Sequence, residues 1–178
     1  MCFELRETRK VYEGKRINVH RDLVKQPDGT EVVRELVTLA DAAAIVPLTS
    51  EGGVVLISQL RYPVGDYLWE IPAGVLDGEE EPEACARREL EEETGYKPGV
   101  LTYLGRIYTS PGVCSEIIHL YLAEKLERGK ANLDHGEIIK PKIIGFSEVL
   151  DMIDRGEITD AKTICAIFLA QKEMAGRS

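Results

Sequence analysis

The first forty residues hold short apolar, β-branched stretches broken by polar positions, a strand-like pattern. Residues 16–25 (RINVHRDLVK) and 30–39 (TEVVRELVTL) are rich in β-branched side chains, and Pro27-Asp28-Gly29 between them supplies turn chemistry. That pattern predicts a hairpin, to which Arg9–Glu13 adds a third strand. A sheet this small needs another surface to lean on.

Near residue 40 the pattern changes. Ala42–Leu48 and Gly53–Leu60 are almost continuously apolar and are separated by Ser50-Glu51-Gly52, as expected for two strands buried on both faces. A boundary here divides the chain into residues 1–40, a small antiparallel β-sheet, and residues 41–178, a larger α/β domain. Tyr67–Pro72 is a further strand, followed by a Gly- and acid-rich loop at residues 73–81. A helix is predicted from Pro82 to Thr94, since proline suits the first helical turn and Gly95 the stop. Residues 100–109 and 116–126 read as strands, the second apolar on both faces. Pro141 interrupts the run from Ile138 to Phe146 and leaves Lys142–Phe146 as the predicted strand. Two helices close the chain, Ser147–Arg155 capped by Ser147 and Asp160–Ala175 capped by Asp160.

Composition narrows the function. The 178 residues suffice for one well-filled core, and 44% hydrophobic with 30% charged residues is globular. A net charge of −9, without any basic stripe interleaved with aromatics, argues against nucleic acid as a partner. A small anionic substrate stays open, because a divalent cation bound among carboxylates inverts the local charge. Cys2, Cys85, Cys114 and Cys165 are scattered, with no C-x-x-C pair, so neither a zinc site nor a disulfide framework is expected. The charged N-terminus and the lack of a membrane-length apolar run point to a cytoplasmic protein with no membrane partner.

The chemistry is concentrated in residues 74–96, GVLDGEEEPEACARRELEEETGY, where nine acidic side chains meet two arginines. A helix that crowds Glu89, Glu91, Glu92 and Glu93 opposes itself, since like charges at helical neighbour spacing repel. An acidic run is ordinarily a solvated face. Here Glu89, Glu92 and Glu93 fall within one arc beside apolar Ala86 and Leu90. Carboxylates on one rigid element suit Mg²⁺ or Mn²⁺, with coordination positions left for phosphate and water. Cys85 lies on the same arc, but its soft sulfur suits packing better than Mg²⁺.

The spacing resembles the Nudix box, G-x5-E-x7-R-E-U-x-E-E-x-G-U, with U a bulky apolar residue. Gly74, Glu80, Arg88, Glu89, Leu90, Glu92, Glu93 and Gly95 fall on its defined positions, and Tyr96 stands where an aliphatic residue is usual. Trp69-Glu70-Ile71-Pro72-Ala73-Gly74 upstream, and Pro111 sixteen residues past Gly95, are similar to the ADP-ribose pyrophosphatase branch. The resemblance implies a Nudix-type α/β/α sandwich with a mixed sheet, preceded by the small N-terminal sheet. It implies metal-dependent cleavage of a nucleoside diphosphate sugar, ADP-ribose foremost, into AMP and ribose 5-phosphate.

Carried over by position, Glu89 and Glu93 are expected as metal ligands, Glu92 as a shared or second-metal ligand, and the Ala73 carbonyl as another. Arg88 is expected to orient the glutamates. A general base belongs on a late loop; Glu137 is the candidate and Glu116 its rival. Arg61 and Arg34 are candidates for phosphate or ribose contacts, and Pro111 for shaping the substrate loop. The resemblance further implies a homodimer in which the N-terminal sheet of one chain completes the other's adenine pocket. Two alternatives remain: a non-catalytic nucleotide-sugar-binding regulator, and a hydrolase of oxidised nucleotides. The box favours catalysis, since every metal glutamate is retained.

Overall fold

The structure is a computed structural model, and it describes residues 3–132 and 138–177. The chain divides into two compact units, one holding the chain up to Asp41 together with Tyr108–Ile117, the other holding Ala42–Ile107 and the chain from Ile118 onward.

The first unit carries β1 (Glu4–Glu13), β2 (Asn18–Lys25) and β3 (Glu31–Thr38), antiparallel in the order β1-β2-β3. The β2–β3 turn closes as its residues dictate: Gln26 N–H donates to Thr30 O (2.8 Å), Gly29 takes φ +88°, and Asp28 Oδ1 accepts from Thr30 N–H (2.9 Å). β1 begins at Glu4, well before the expected Arg9. Its length is set by pairing along all of β2, with register breaks at Leu5/Glu7 and Lys10/Tyr12, and its local sequence carries little sign of this. Tyr108–Ile117 turns after Ser110, whose carbonyl accepts from Val113 and Cys114 N–H. It then bonds β3 through Val37 N–H to Val113 O (2.7 Å) and Ser115 N–H to Val37 O (3.1 Å).

In the second unit a mixed sheet runs β7 (Ala73–Val75), β4 (Ala42–Pro47), β9 (Ile117–Arg128), β8 (Tyr96–Tyr108), with β4 parallel to β9 and antiparallel to β7. A second, antiparallel sheet runs β10 (Ile139–Gly145), β5 (Gly53–Arg61), β6 (Asp66–Glu70). The helices are α1 (Pro82–Thr94), α2 (Phe146–Asp154) and α3 (Ala161–Ala175).

The two-residue period of β4 explains the layering. Ala42, Ala44 and Val46 pack with Val54 and Leu56 of β5, Val149 and Met152 of α2, and Ala166, Ile167 and Ala170 of α3. Ala43 and Ile45 face the other way, onto Cys85, Ala86 and Leu90 of α1. Both faces of the mixed sheet are therefore covered, giving the α/β/α sandwich.

Three local expectations change. Ala73–Val75, read as loop, pairs with β4, since Ala44 opposes Ala73. Pro141 lies inside β10, which tolerates it because β10 is an edge strand. Ser147 sits inside the first turn of α2; the N-cap is Gly145, with no side-chain cap. Asp160 caps α3 as its sequence suggests, accepting from Thr163 N–H at 3.0 Å.

Candidate active site

Helix α1 starts with Pro82 in its first turn and stops at Gly95, whose φ of +71° is left-handed and whose N–H reaches Glu91 O. Two features offset its crowded charge. Leu90 is fully buried, worth about 1.5–3 kcal/mol, against about 0.2–0.5 kcal/mol of repulsion per like-charged pair. The second is Arg88.

The Arg88 guanidinium forks onto Glu80, with Nε to Oε1 at 3.0 Å and Nη2 to Oε2 at 2.9 Å. Its Nη1 donates to Glu89 Oε1 (2.5 Å) and Glu92 Oε2 (3.0 Å), and Nη2 also reaches the Val75 carbonyl (3.1 Å). One side chain thus ties the acidic loop, the end of β7 and two turns of α1 together. Its pKa is raised, first by the Glu80 hydrogen bond and then by the other glutamates against the cost of burial, so the cation is permanent. Glu80 is correspondingly held below the ordinary carboxylate range, chiefly by Arg88.

Two further carboxylates meet the backbone of β7. Glu93, only 3% exposed, accepts from Ala73 N–H through Oε2 at 3.0 Å. Glu89 lies against Gly74 so closely that a Cβ built there would collide with the whole carboxylate. Glycine at this position is what lets α1 deliver Glu89 to the strand. Cys85 is buried beneath, its Sγ donating to Gly74 O at 3.5 Å, and burial followed by the charge of Glu89 pushes its pKa up to about 12. It is a neutral packing thiol.

The donor chemistry of Glu89, Glu92 and Glu93 beside the Ala73 backbone fits a hard divalent cation, and the Gly74 cradle admits the Glu89 carboxylate to it. Among the described residues no three acidic, imidazole or thiol side chains already surround a common point. Arg88 Nη1 lies between Glu89 and Glu92 and donates to both.

Arg61, at the end of β5, forks onto Glu70 with both bonds at 2.7 Å. Glu70 is 1% exposed and also accepts from Lys162, which in turn reaches Asp160 Oδ2 at 3.0 Å. Glu70, Lys162 and Thr163 were not singled out from the sequence. The usable signal was a carboxylate inside the otherwise apolar Leu68–Ile71 run, which requires a buried cation beside it.

Arg34, Pro111 and Glu116 belong to the other unit. Arg34 is exposed on β3, Pro111 is exposed in the turn after Ser110, and Glu116 is half-buried just before β9. Glu137 lies outside the described residues.

A NUDIX-domain family model matches residues 38–167. The ADP-ribose pyrophosphatase of Bacillus subtilis (strain 168) is 40% identical over 167 residues, covering 92% of this chain and 90% of the relative. The methanol dehydrogenase activator of Bacillus methanolicus is 36% identical over 171 residues, covering 95% and 92%. A crystal structure of an ADP compounds hydrolase superposes with a TM-score of 0.90 at 21% identity, covering 100% of this chain and 97% of the other, a likeness of fold. Domain match, relatives and sandwich agree: this chain belongs to the Nudix family.

Proposed function

We propose that the protein is a pyrophosphohydrolase of nucleoside diphosphate sugars, with ADP-ribose as the leading substrate and AMP and ribose 5-phosphate as products. The observation that carries this reading is the convergence of Glu89 and Glu93 on the Ala73–Gly74 backbone, with Arg88 fixing Glu89 and Glu92 from behind. Similarity to an ADP-ribose pyrophosphatase over nine-tenths of the chain supports the substrate class.

Glu89, Glu92, Glu93 and the Ala73 carbonyl would hold Mg²⁺, with Mn²⁺ as the alternative. Such an ion, when bound, polarises the diphosphate and lowers the pKa of a water molecule. The chain's own residues do the rest. Arg88 keeps the glutamates ionised and oriented. Arg61, whose fork to Glu70 uses Nε and Nη2, presents its remaining edge to a phosphate oxygen; Arg34 serves phosphate or ribose, and Pro111 shapes the loop beside the substrate. Glu137 takes the proton of the attacking water, with Glu116 as the rival for that role.

The protein works as a homodimer through its N-terminal sheet. β1 is exposed along its whole length, with Leu5, Val11 and Tyr12 each more than half exposed at 57%, 52% and 56%, a surface suited to a second copy. A reducing cytosol suits Cys85, Cys114 and Cys165, which stand as free thiols. Among the described residues no helix is long and apolar enough to cross a membrane.

A second reading, a nucleotide-sugar-binding regulator, has one supporting observation, the 36% identity to a protein named as an activator. A substrate panel separates the two: ADP-ribose, ADP-glucose, GDP-mannose, NADH and 8-oxo-dGTP, with and without millimolar Mg²⁺. Magnesium-dependent AMP release, fastest from ADP-ribose, is the expected result. Silence across the panel would favour the regulator, and turnover of 8-oxo-dGTP alone would move the substrate to oxidised nucleotides.

A further inference from the structure

The segment that delivers Ala73 to the site is gripped from behind by the start of α3. Glu70 is almost wholly buried, and an ionised carboxylate out of water demands cations; Arg61 and Lys162 supply them. The Lys162 side chain is itself only 10% exposed and bonds Asp160 Oδ2. The same Asp160 oxygen accepts from Thr163 N–H (3.0 Å) and from Thr163 Oγ1 (2.6 Å). With its proton committed to Asp160, the Thr163 hydroxyl offers a lone pair, and Ile71 N–H donates to it at 2.9 Å.

Continuing along the chain, Pro72 O accepts from Ile45 N–H (2.9 Å), and Ala73 N–H donates to Glu93 (3.0 Å). Each of residues 70 to 73 is therefore held by a distinct partner, and the proline between Ile71 and Ala73 has a fixed φ. Moving Ile71 moves Ala73.

We propose that Asp160, Lys162 and Thr163 are positioning residues for the metal site: the first turn of α3 sets, through Glu70 and the Ile71 amide, where the Ala73–Gly74 backbone meets Glu93 and Glu89. The inference rests on the reading above, that this backbone and these glutamates hold a divalent cation. It gives α3, remote in sequence from the Nudix box, a share in metal affinity.

The test is Mn²⁺ binding to the substrate-free protein, followed by the electron paramagnetic resonance signal of unbound Mn²⁺, beside thermal melting without metal. Thr163→Val removes the hydroxyl at constant shape and should weaken Mn²⁺ binding by about 10–100-fold, as loss of a supporting partner does. Thr163→Ser should bind within about threefold of wild type, because it restores the relay. Lys162→Met, which leaves Glu70 its Arg61 fork, should weaken binding in the same direction and guards against Thr163→Val failing to fold. If both altered proteins melt lower yet bind Mn²⁺ as wild type does, the turn is merely structural and the inference is overturned. If wild type binds no Mn²⁺, the metal-site reading itself falls, a result distinct from the first.

Discussion

Replacing Gly74 by alanine separates position from chemistry at this site. The added Cβ would approach all three atoms of the Glu89 carboxylate to less than 3.0 Å, a distance real Cβ atoms do not adopt. Its nearest neighbours there belong to the end of a flexible side chain, so the protein yields by moving Glu89. To regain ordinary van der Waals separation that carboxylate must retreat by more than about 1 Å. Doing so loosens its bond to Arg88, whose other bonds, to Glu80, Glu92 and Val75 O, remain. The stability cost is about 1 kcal/mol or less, equal to about 2–4 °C in melting temperature for a chain of this size. The catalytic cost is larger, since a 1 Å misplacement of a catalytic group can lose about 100-fold in rate. Magnesium-dependent hydrolysis of ADP-ribose and a melting curve, measured on the same preparation, check this. Gly74→Ala with wild-type turnover would refute the reasoning, and so would a variant that is simply unfolded.

Glu93→Gln keeps an acceptor for Ala73 N–H but loses the charge, so its melting temperature should hold within a few degrees while turnover falls by more than the roughly 10–100-fold typical of a supporting residue; steady-state kinetics and calorimetry decide it. Arg88→Lys cannot span Glu80, Glu89 and Glu92 with one ammonium, and the Mg²⁺ concentration for half-maximal activity should rise about 10–100-fold. Burial opposes the charge of Glu70, but Arg61 and Lys162 outweigh it and hold its pKa below the ordinary 4.5. Its folded pKa being the lower one, its contribution is fully present above pH 4.5 and is lost as pH falls through the depressed value. Melting between about pH 6 and pH 3 should therefore fall more gently in Glu70→Gln than in wild type.

The elements legible in the sequence were those whose boundaries are written locally. Pro82 and Gly95 bracket α1, Asp160 caps α3, and the almost continuous apolar runs at β4 and β5 gave buried strands. What escaped was decided by partners distant in the chain. β7 is three residues of a Gly-rich loop until β4 pairs with them, and β1 borrows its length from β2. The site followed the same division. The arc of Glu89, Glu92 and Glu93 follows from helical spacing, but that spacing does not tell which of them is buried; Glu93 is, its carboxylate bonded by the Ala73 amide of β7. The contacts of Arg88 with Glu89 and Glu92 are local, at i+1 and i+4, whereas Lys162 meets Glu70 across ninety-two residues, where no local pattern reaches.

The central claim is that the Glu89, Glu92 and Glu93 carboxylates, gathered on the Ala73–Gly74 backbone, cleave a diphosphate with a divalent metal. Phosphorus magnetic resonance of ADP-ribose mixed with the protein, with Mg²⁺ added midway through the recording, tests it most directly. The account predicts that the diphosphate resonances persist until the metal is added and are then replaced by the two monophosphate resonances of AMP and ribose 5-phosphate. Conversion before the metal is added, or persistence of the diphosphate after it, would contradict the account.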